Sequence, residues 1–544
     1  MTSFQKPTSV AVDDQSSASK SRFLPFFLVI GIILILLAAA EVIRYHEISK
    51  GIALFGAGAL ALLAVAILSF TAEFCGLGAR RITRCTLAAV TISWGVWTAL
   101  IAYTHHIDAW DEGAYVLSGM ALRGYDVPYA AHRPPVTGFI CAAFVGWDRL
   151  LNPVLLSVLL IVVYLWVRRL LGPFYAALSL FVLLCQNLLL ESTVDIMSEL
   201  PAALLLLVAF FSLARERFWW SAMWFALVVF TRWNLAPVWA VVCGAVLIRF
   251  GMRQALKFLG VGLIVFCAWY ALTIAMGTPN PLRTVYEGNF LPGVVWGATL
   301  EQGLKPDFLL TLDFYSNHFL FLTQPVFFLL IANPIHNLGK HLRTELWIIL
   351  VVLPLALLAY IVTMLTIGWP VARYLTPLIP SAVVSLLVGL SKVCDDFSLP
   401  EPSRVRIVTV VLFLMCAVGL WPLFALVEAR VKHNAHPAFS TNLRKELIAL
   451  DRKVPLHGVP REPLSRANGY PAMVEARHRI FFPSARRDSD LNVVEEPDSV
   501  ESVRRLAAAC HSGDLMLIPK RYAVDFQPAA VLFSDGQWAL VRNP

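Results

Sequence analysis

The chain has 544 residues, 58% of them hydrophobic and 15% charged, with a mean hydropathy of +0.69. Soluble globular chains average about 45–50% apolar and about 25% charged residues, so this composition excludes a soluble enzyme, a disordered scaffold and a single-pass receptor. The apolar residues fall in runs of about 15–22, long enough to cross a bilayer as helices, without the alternation of a membrane β-barrel.

The net charge of +8 comes from 44 Lys and Arg against 36 Asp and Glu. A multi-pass membrane protein collects such a surplus in its cytoplasmic loops, so the charge does not point to nucleic acid. The nine cysteines form no CxxC pair. Cys141, Cys185, Cys243, Cys267 and Cys416 lie in apolar stretches and read as small buried side chains rather than as ligands or disulfides.

Residues 1–22 are polar and Ser-rich, a cytoplasmic tail with Lys20 and Arg22 before the first apolar run, Phe23 to Ile43. That run is too long for a signal-peptide core and no small-residue cleavage site comes after it, so it reads as a signal anchor. Further runs lie at roughly 51–70, 86–103, 152–168, 173–190, 199–214, 218–231, 235–250, 257–276, 318–333, 346–366, 374–391 and 406–427, for a total of about 13 spans. With the N-terminus in the cytoplasm, the inside loops hold Arg80, Arg81 and Arg84; Arg168 and Arg169; Arg215 and Arg217; Arg249, Arg253 and Lys257; Lys340 and Arg343; Lys392, Arg404 and Arg406. This is the positive-inside pattern, and an odd count leaves the C-terminus outside.

The expected fold is therefore an all-α polytopic membrane protein with a small C-terminal α/β extracytoplasmic domain. Two extra N-terminal helices occupy 23–85, the transmembrane core 86–427, and the soluble domain 428–544. The core carries outside loops at 104–151 and 277–317. The tail has helix-like segments near 442–452 and 499–510, then two short strands around an Asp535–Gly536 turn that predicts a hairpin.

The first outside loop concentrates the reactive side chains. After Tyr103 the chain reads HHIDAWDEGAYVLSGMALRGYDVPYAAHRPPVTGF. Asp108, Asp111 and Glu112 stand at the membrane exit, and His132, Arg133, Pro134 and Pro135 come about two dozen residues later. Between them Ala114, Leu117, Met120 and Ala121 recur at helical spacing, which predicts an amphipathic helix on the outer surface. An acid cluster of this kind is also how a helix start looks, since the helix dipole favours acids in a first turn.

An Asp-Glu pair after an early span, Tyr115 three residues on, a surface helix and a basic residue before Pro-Pro: this order resembles the GT-C glycosyltransferases. In particular it is similar to the protein O-mannosyltransferase and lipid A aminoarabinose transferase group, glycosyltransferase family 39-like. The resemblance spans about 86–391 and is supported by Thr231-Arg232-Trp233-Asn234 and by Ala372-Arg373-Tyr374 with Leu378-Ile379-Pro380. It implies an enzyme that moves a sugar from a polyprenyl-phosphate donor to a protein, lipid or envelope-glycan acceptor on the outer face of the plasma (inner) membrane.

Such a transfer needs a base for the acceptor's hydroxyl or amine and cations for the charge that grows on the leaving phosphate. The resemblance makes Asp111, first acid of the pair, the base, with Glu112 beside it and Asp108 as rival. Arg133, Arg232 and Arg373 are the candidates to grip the donor phosphate, because guanidinium donates in a fork that matches phosphate oxygens. Arginines at a membrane boundary also snorkel toward head groups, but these three fall on the Arg-poor side.

His132, Tyr115 and Glu199 are possible accessory residues. His132 stands where some relatives carry a metal-binding Glu; the chain departs from that pattern, His105, His106 and His318 add no ligand spacing, and no metal is expected. Asp195 and Glu199 precede Pro201 in a short outside loop, where an acid near the membrane is a functional candidate and equally a helix-capping one. Trp219, Trp220, Trp233, Trp239, Trp296 and Trp369 mostly sit at span ends, where an aromatic belt forms. No organic cofactor and no nucleotide are expected, and no Gly-rich phosphate loop occurs.

Two other classes compete. A secondary transporter would show inverted repeats and charges within its spans, and neither is visible here. A catalytically inactive envelope-assembly protein would keep the fold without the reactive set, whereas Asp111, Glu112 and Arg133 are all present. An O-antigen ligase-like enzyme would share a lipid-linked donor but carry a different long loop late in the chain.

Overall fold

The computed structural model describes residues 110–289 and 342–398 apart from scattered positions, with short pieces at 87–98 and 333–337 and parts of 480–543. The predicted spans at 23–43, 51–70 and 406–427, the segment near 442–452, and Asp108 lie outside the described residues. The described part is mostly helical, with a small sheet at the C-terminal end. Among the described residues five helices are long and apolar enough to cross a membrane: Leu150–Leu171, Trp233–Phe250, Met252–Ala275, Thr344–Met364 and Arg373–Asp396.

The first outside loop forms α1 (Trp110–Leu122) and α2 (Pro135–Ala143). The apolar spacing predicts a surface helix at α1, but every residue from Glu112 to Ala121 is buried. Small residues explain the difference. A Cβ on Gly119 would stand 2.7 Å from both the Ala142 nitrogen and the Cys141 Cβ, and one on Gly138 would stand 3.0 Å from the Ser118 Cβ. Backbone therefore meets backbone between α1 and α2, and the face opposite the Ala114–Leu117–Ala121 stripe is covered too. Ser118 satisfies its hydroxyl locally: it donates to Ala114 O at 2.8 Å and accepts from Ala130 N–H at 3.2 Å.

The core helices come next as α3 (Asp148–Leu171), α4 (Pro173–Leu184), α5 (Asn187–Glu191), α6 (Glu199–Ala214), α7 (Phe218–Val229), α8 (Ala236–Phe250) and α9 (Met252–Ala275). Helix α3 opens on Asp148 and closes on Arg168 and Arg169, each at the end where the helix dipole favours its sign. Gly172, at φ 95°, then turns the chain, as Gly251 does after α8 at φ 82°. The predicted run 173–190 is divided: the Gln186 backbone is extended and its amide bonds back to Val182 O at 3.3 Å, so α4 stops at Leu184. Helix α6 is the axle of the bundle, with Phe210 set edge-on to Phe225 of α7 at 5.0 Å.

Pro281–Asn289 forms α10 within the predicted outside loop at 277–317. Thr344–Trp347 (α11) then continues through a wide π turn, Ile348–Val352, into α12 (Leu353–Ile367). Such turns leave backbone groups to be satisfied from elsewhere. Here the Ser385 hydroxyl donates to Ile349 O at 2.9 Å. Ser385 belongs to α13 (Ile379–Asp396), which a 3₁₀ turn at Ala372–Leu378 precedes.

Basic residues gather at one end of the bundle. Arg169 approaches Glu345 at 3.4 Å, Arg249 donates to Leu342 O at 3.2 Å, and Lys257 lies 5.7 Å from the Trp219 ring. The turn at 230–235 lies at the other ends of α7 and α8, and the loop at 192–198 is held by Asn152 at the other end of α3.

In the C-terminal region, strands β1 (Ile480–Phe481), β4 (Leu515–Pro519), β6 (Trp538–Arg542) and β5 (Val531–Ser534) form one sheet in that order. The predicted hairpin is the antiparallel β5–β6 pair. A second, two-stranded sheet pairs β2 (Arg486–Arg487) with β3 (Val493–Glu495). Val503 and Leu506 of α14 (Val500–Ala509) pack on Met516, Ile518, Ala539 and Val541, while Leu515, Leu517 and Leu540 on the alternate side belong to the apolar cluster of the helical core.

Candidate active site at one end of the bundle

The site is built on the loop between α5 and α6. The Asn152 amide of α3 donates to Thr193 O at 3.0 Å and to Asp195 O at 2.8 Å, and the Trp97 indole donates to the Thr193 hydroxyl at 3.0 Å. From α1, Glu112 is fully buried and its Oε1 accepts the Ile196 N–H at 2.8 Å. The loop is thus tied from both sides, and it delivers Ser198 and Glu199 to the start of α6. Glu199 lies in the first helical turn, where the dipole favours an acid.

Arg232 comes from the turn between α7 and α8. Thr231 closes α7 by donating to Leu227 O at 2.7 Å, and the Arg232 backbone is extended. The Arg232 Nη1 lies 2.7 Å from Glu199 Oε1 and 3.2 Å from the Ser198 hydroxyl, its Nε is 3.4 Å from Asn234 Oδ1, and its guanidinium stands 4.4 Å over the Tyr374 ring. Both charges are almost fully enclosed, with 7% of the Arg232 and 3% of the Glu199 side chain exposed. Burial opposes the Arg232 charge, but Glu199, with Tyr360, Tyr374 and Tyr115 around it, more than restores it, so its proton is held more tightly than usual.

Arg373, in the 3₁₀ turn before α13, points its Nε at the same Glu199 Oε1 from 3.5 Å, with its Nη1 4.0 Å from the Met197 sulfur. It is 36% exposed. Its backbone neighbourhood is fixed: the Tyr360 hydroxyl donates to Tyr374 O at 2.8 Å and the Thr376 hydroxyl to Leu188 O at 3.3 Å. One carboxylate oxygen therefore serves two guanidinium groups, one enclosed and one open.

The structure brings Glu199, Arg232 and Arg373 into one cluster, with Tyr115 within electrostatic reach of Arg232. Glu112 joins it through the Ile196 loop, and Asp111 is the preceding residue of α1. His132 is buried and Arg133 half-buried in the turn leading into α2, whose Val136 N–H bonds Phe230 O at 3.1 Å, two residues before Arg232. In that same turn the Tyr129 phenol, enclosed and offset only in part by Thr273, is pushed up to about 12. Asp195 is half-buried and meets Asn152 through its backbone.

Ser198, Asn234, Tyr360 and Met197 complete the cluster, and sequence reasoning does not single them out. Asn234 and Tyr374 sit inside the quoted motifs; Tyr360 and Met197 carry no local signal. The arrangement presents forked donors suited to a phosphate or carboxylate. Among the described residues no group of three or more His, Cys, Asp or Glu side chains is placed to hold a metal ion.

No protein-family model matches the chain, and no curated protein does. Among solved structures it is similar to ArnT from Cupriavidus metallidurans bound to undecaprenyl phosphate: TM-score 0.53, 13% identity, covering 84% of this chain and 98% of that one. The same ArnT in the apo state matches with TM-score 0.49 and 13% identity, over 84% of this chain and 97% of that one. The match to the lipid-bound structure extends over nearly the whole of ArnT, and at this identity it speaks for the fold alone: the chain has the fold of ArnT, as the resemblance carried by the Asp111–Arg133 loop implied.

Proposed function

We propose that the protein is an integral-membrane glycosyltransferase that moves a sugar from a polyprenyl-phosphate donor to a protein, lipid or envelope-glycan acceptor at the outer leaflet of the plasma (inner) membrane. One observation carries the reading: two arginines from distant turns converge on one buried carboxylate, within the fold of a protein solved with undecaprenyl phosphate. Arg232 and Arg373 bind the phosphate, and Arg133 supplements them from the first loop.

Asp111 is the base. Its neighbour Glu112 already accepts the Ile196 N–H, which leaves the first acid of the pair for the reaction. The acceptor's oxygen or nitrogen gives its proton to Asp111 and attacks the anomeric carbon. The bond from that carbon to the phosphate oxygen breaks, and the negative charge that develops on the departing polyprenyl phosphate is met by the guanidinium groups. No step calls for a cofactor. The basic end of the bundle faces the cytoplasm and the site faces outward, in keeping with the positive-inside bias.

The test is a transfer assay with purified protein and a panel of radiolabelled polyprenyl-phosphate sugars. Wild type should consume one donor, and Asp111→Asn should not, while still binding it. Near-normal turnover by that variant would remove Asp111 from the mechanism. Arg133→Ala should weaken donor binding with little effect on folding; an unchanged affinity would return Arg133 to a lipid head-group role.

A further inference from the structure

The Glu199 carboxylate is used on one side only. Its Oε1 takes both guanidinium contacts, whereas Oε2 is buried and has no hydrogen-bond donor beside it among the described residues. A buried charged acceptor left without a donor is costly, and buried polar atoms are paired in the great majority of cases. Other buried carboxylate oxygens among the described residues share this state, Glu345 Oε1 among them, but Glu199 Oε2 is the one set beside two arginines on a shared carboxylate, where a ligand can bring the donor.

We infer that Glu199 Oε2 accepts a hydrogen bond from a hydroxyl or amino group of the transferred sugar, making Glu199 a specificity-determining residue for the donor. This rests on the reading of Arg232 and Arg373 as the phosphate grip. The sugar is bonded directly to the phosphate in such a donor, so a group placed beside the grip faces the sugar ring. The chemistry selects an acceptor role. Oε1 is engaged by Arg232 at 2.7 Å and Arg373 at 3.5 Å, and Oε2 keeps its lone pairs for a donor. A site built to bond a substrate hydroxyl or amine discriminates strongly against an analogue that lacks it, because its own polar atom is then left unpaired.

The experiment compares the binding of undecaprenyl phosphate, which carries no sugar, with that of undecaprenyl-phosphate hexoses, pentoses and amino-pentoses by the full-length protein in detergent. Wild type should bind one sugar-bearing lipid at least about tenfold more tightly than undecaprenyl phosphate, the scale of one hydrogen bond to a charged group. Glu199→Gln places an N–H₂ or a neutral oxygen where Oε2 stands, and should erase that preference, read as the ratio of the two affinities within the one variant. Glu199→Asp keeps the charge for the arginines but withdraws the oxygen by one methylene; it should show the same loss and serves if the Gln variant does not fold. Equal weakening of both lipids would show that Glu199 only positions the arginines, and would overturn the inference. So would a wild type that binds undecaprenyl phosphate and every sugar-bearing lipid alike. Failure of wild type to bind undecaprenyl phosphate at all would instead overturn the reading of the donor.

Discussion

The two ends of the helical bundle both carry charge, yet they hold it in opposite ways. At one end Arg232 and Glu199 meet at 2.7 Å with almost no exposed surface, and Ser198, Asn234 and Tyr374 close around the guanidinium. At the other, Arg169 and Glu345 stand 3.4 Å apart with 42% and 22% of their side chains exposed, and Lys392 pairs with Asp396 one turn along α13. Exposed pairs of the second kind contribute little to stability. A buried pair has to overcome a desolvation cost of several kcal/mol per ion, so its persistence points to a use beyond holding the fold. On the proposed reading, the difference separates charges that orient the protein from charges that serve the donor.

The sharpest way to break this comparison is to remove one partner of the buried pair. Arg232→Ala should destabilise the protein by about 3–5 kcal/mol, because it leaves Glu199 enclosed with its nearest counter-ion gone. Thermal unfolding in detergent measures this, and a double variant, Arg232→Met with Glu199→Leu, should recover much of the loss. The next effect comes from Gly119→Ala. Its new methyl would meet the Ala142 nitrogen at 2.7 Å and should cost about 1–3 kcal/mol as overpacking, read from the same melting curves.

Arg373→Ala sharpens the comparison from the functional side. The side chain is partly open and its contact with Glu199 is long, so the loss of stability should stay near 0.5 kcal/mol. Affinity for a polyprenyl phosphate should nonetheless fall about tenfold, the scale of a charge-assisted hydrogen bond, in a lipid-binding titration. Smallest is Arg169→Ala at the basic end, which should change both melting and lipid binding by less than about 0.5 kcal/mol. A drop comparable to that of Arg232→Ala would erase the distinction between the two ends.

Much of the helical layout is legible in the sequence because hydrophobic run length reports burial in lipid directly. The runs at 152–168, 199–214, 218–231, 235–250, 346–366 and 374–391 all correspond to helices. Helix α1 is legible as a helix, but its burial is not. Its second packing face consists of Ser118 and Gly119, whose smallness permits contact yet looks like an absence of apolar signal. For the site, the sequence marks Glu199, Arg232 and Arg373 one by one as boundary residues. It does not join them, since which carboxylate meets which guanidinium depends on how two distant turns fold onto one helix start. The same holds for Tyr360, an ordinary residue in an apolar run until its hydroxyl meets the Tyr374 carbonyl.

The π turn at Ile348–Val352 makes the position of that hydroxyl a matter of residue number as well as residue type. A π turn carries one residue more than the α-helical path it replaces, and each residue of a regular helix rotates the remainder of the helix by about 100°. Deleting any one of these five apolar residues would leave the segment as apolar as before. It would also let the turn close as regular α-helix, with Tyr360 and Met364 still facing Tyr374 and Asn234, which they now touch. The brace under Arg373 therefore tolerates one deletion inside the turn but not one in the regular helix between Leu353 and Tyr360, where no extra residue absorbs the rotation, a distinction that no substitution scan would sample.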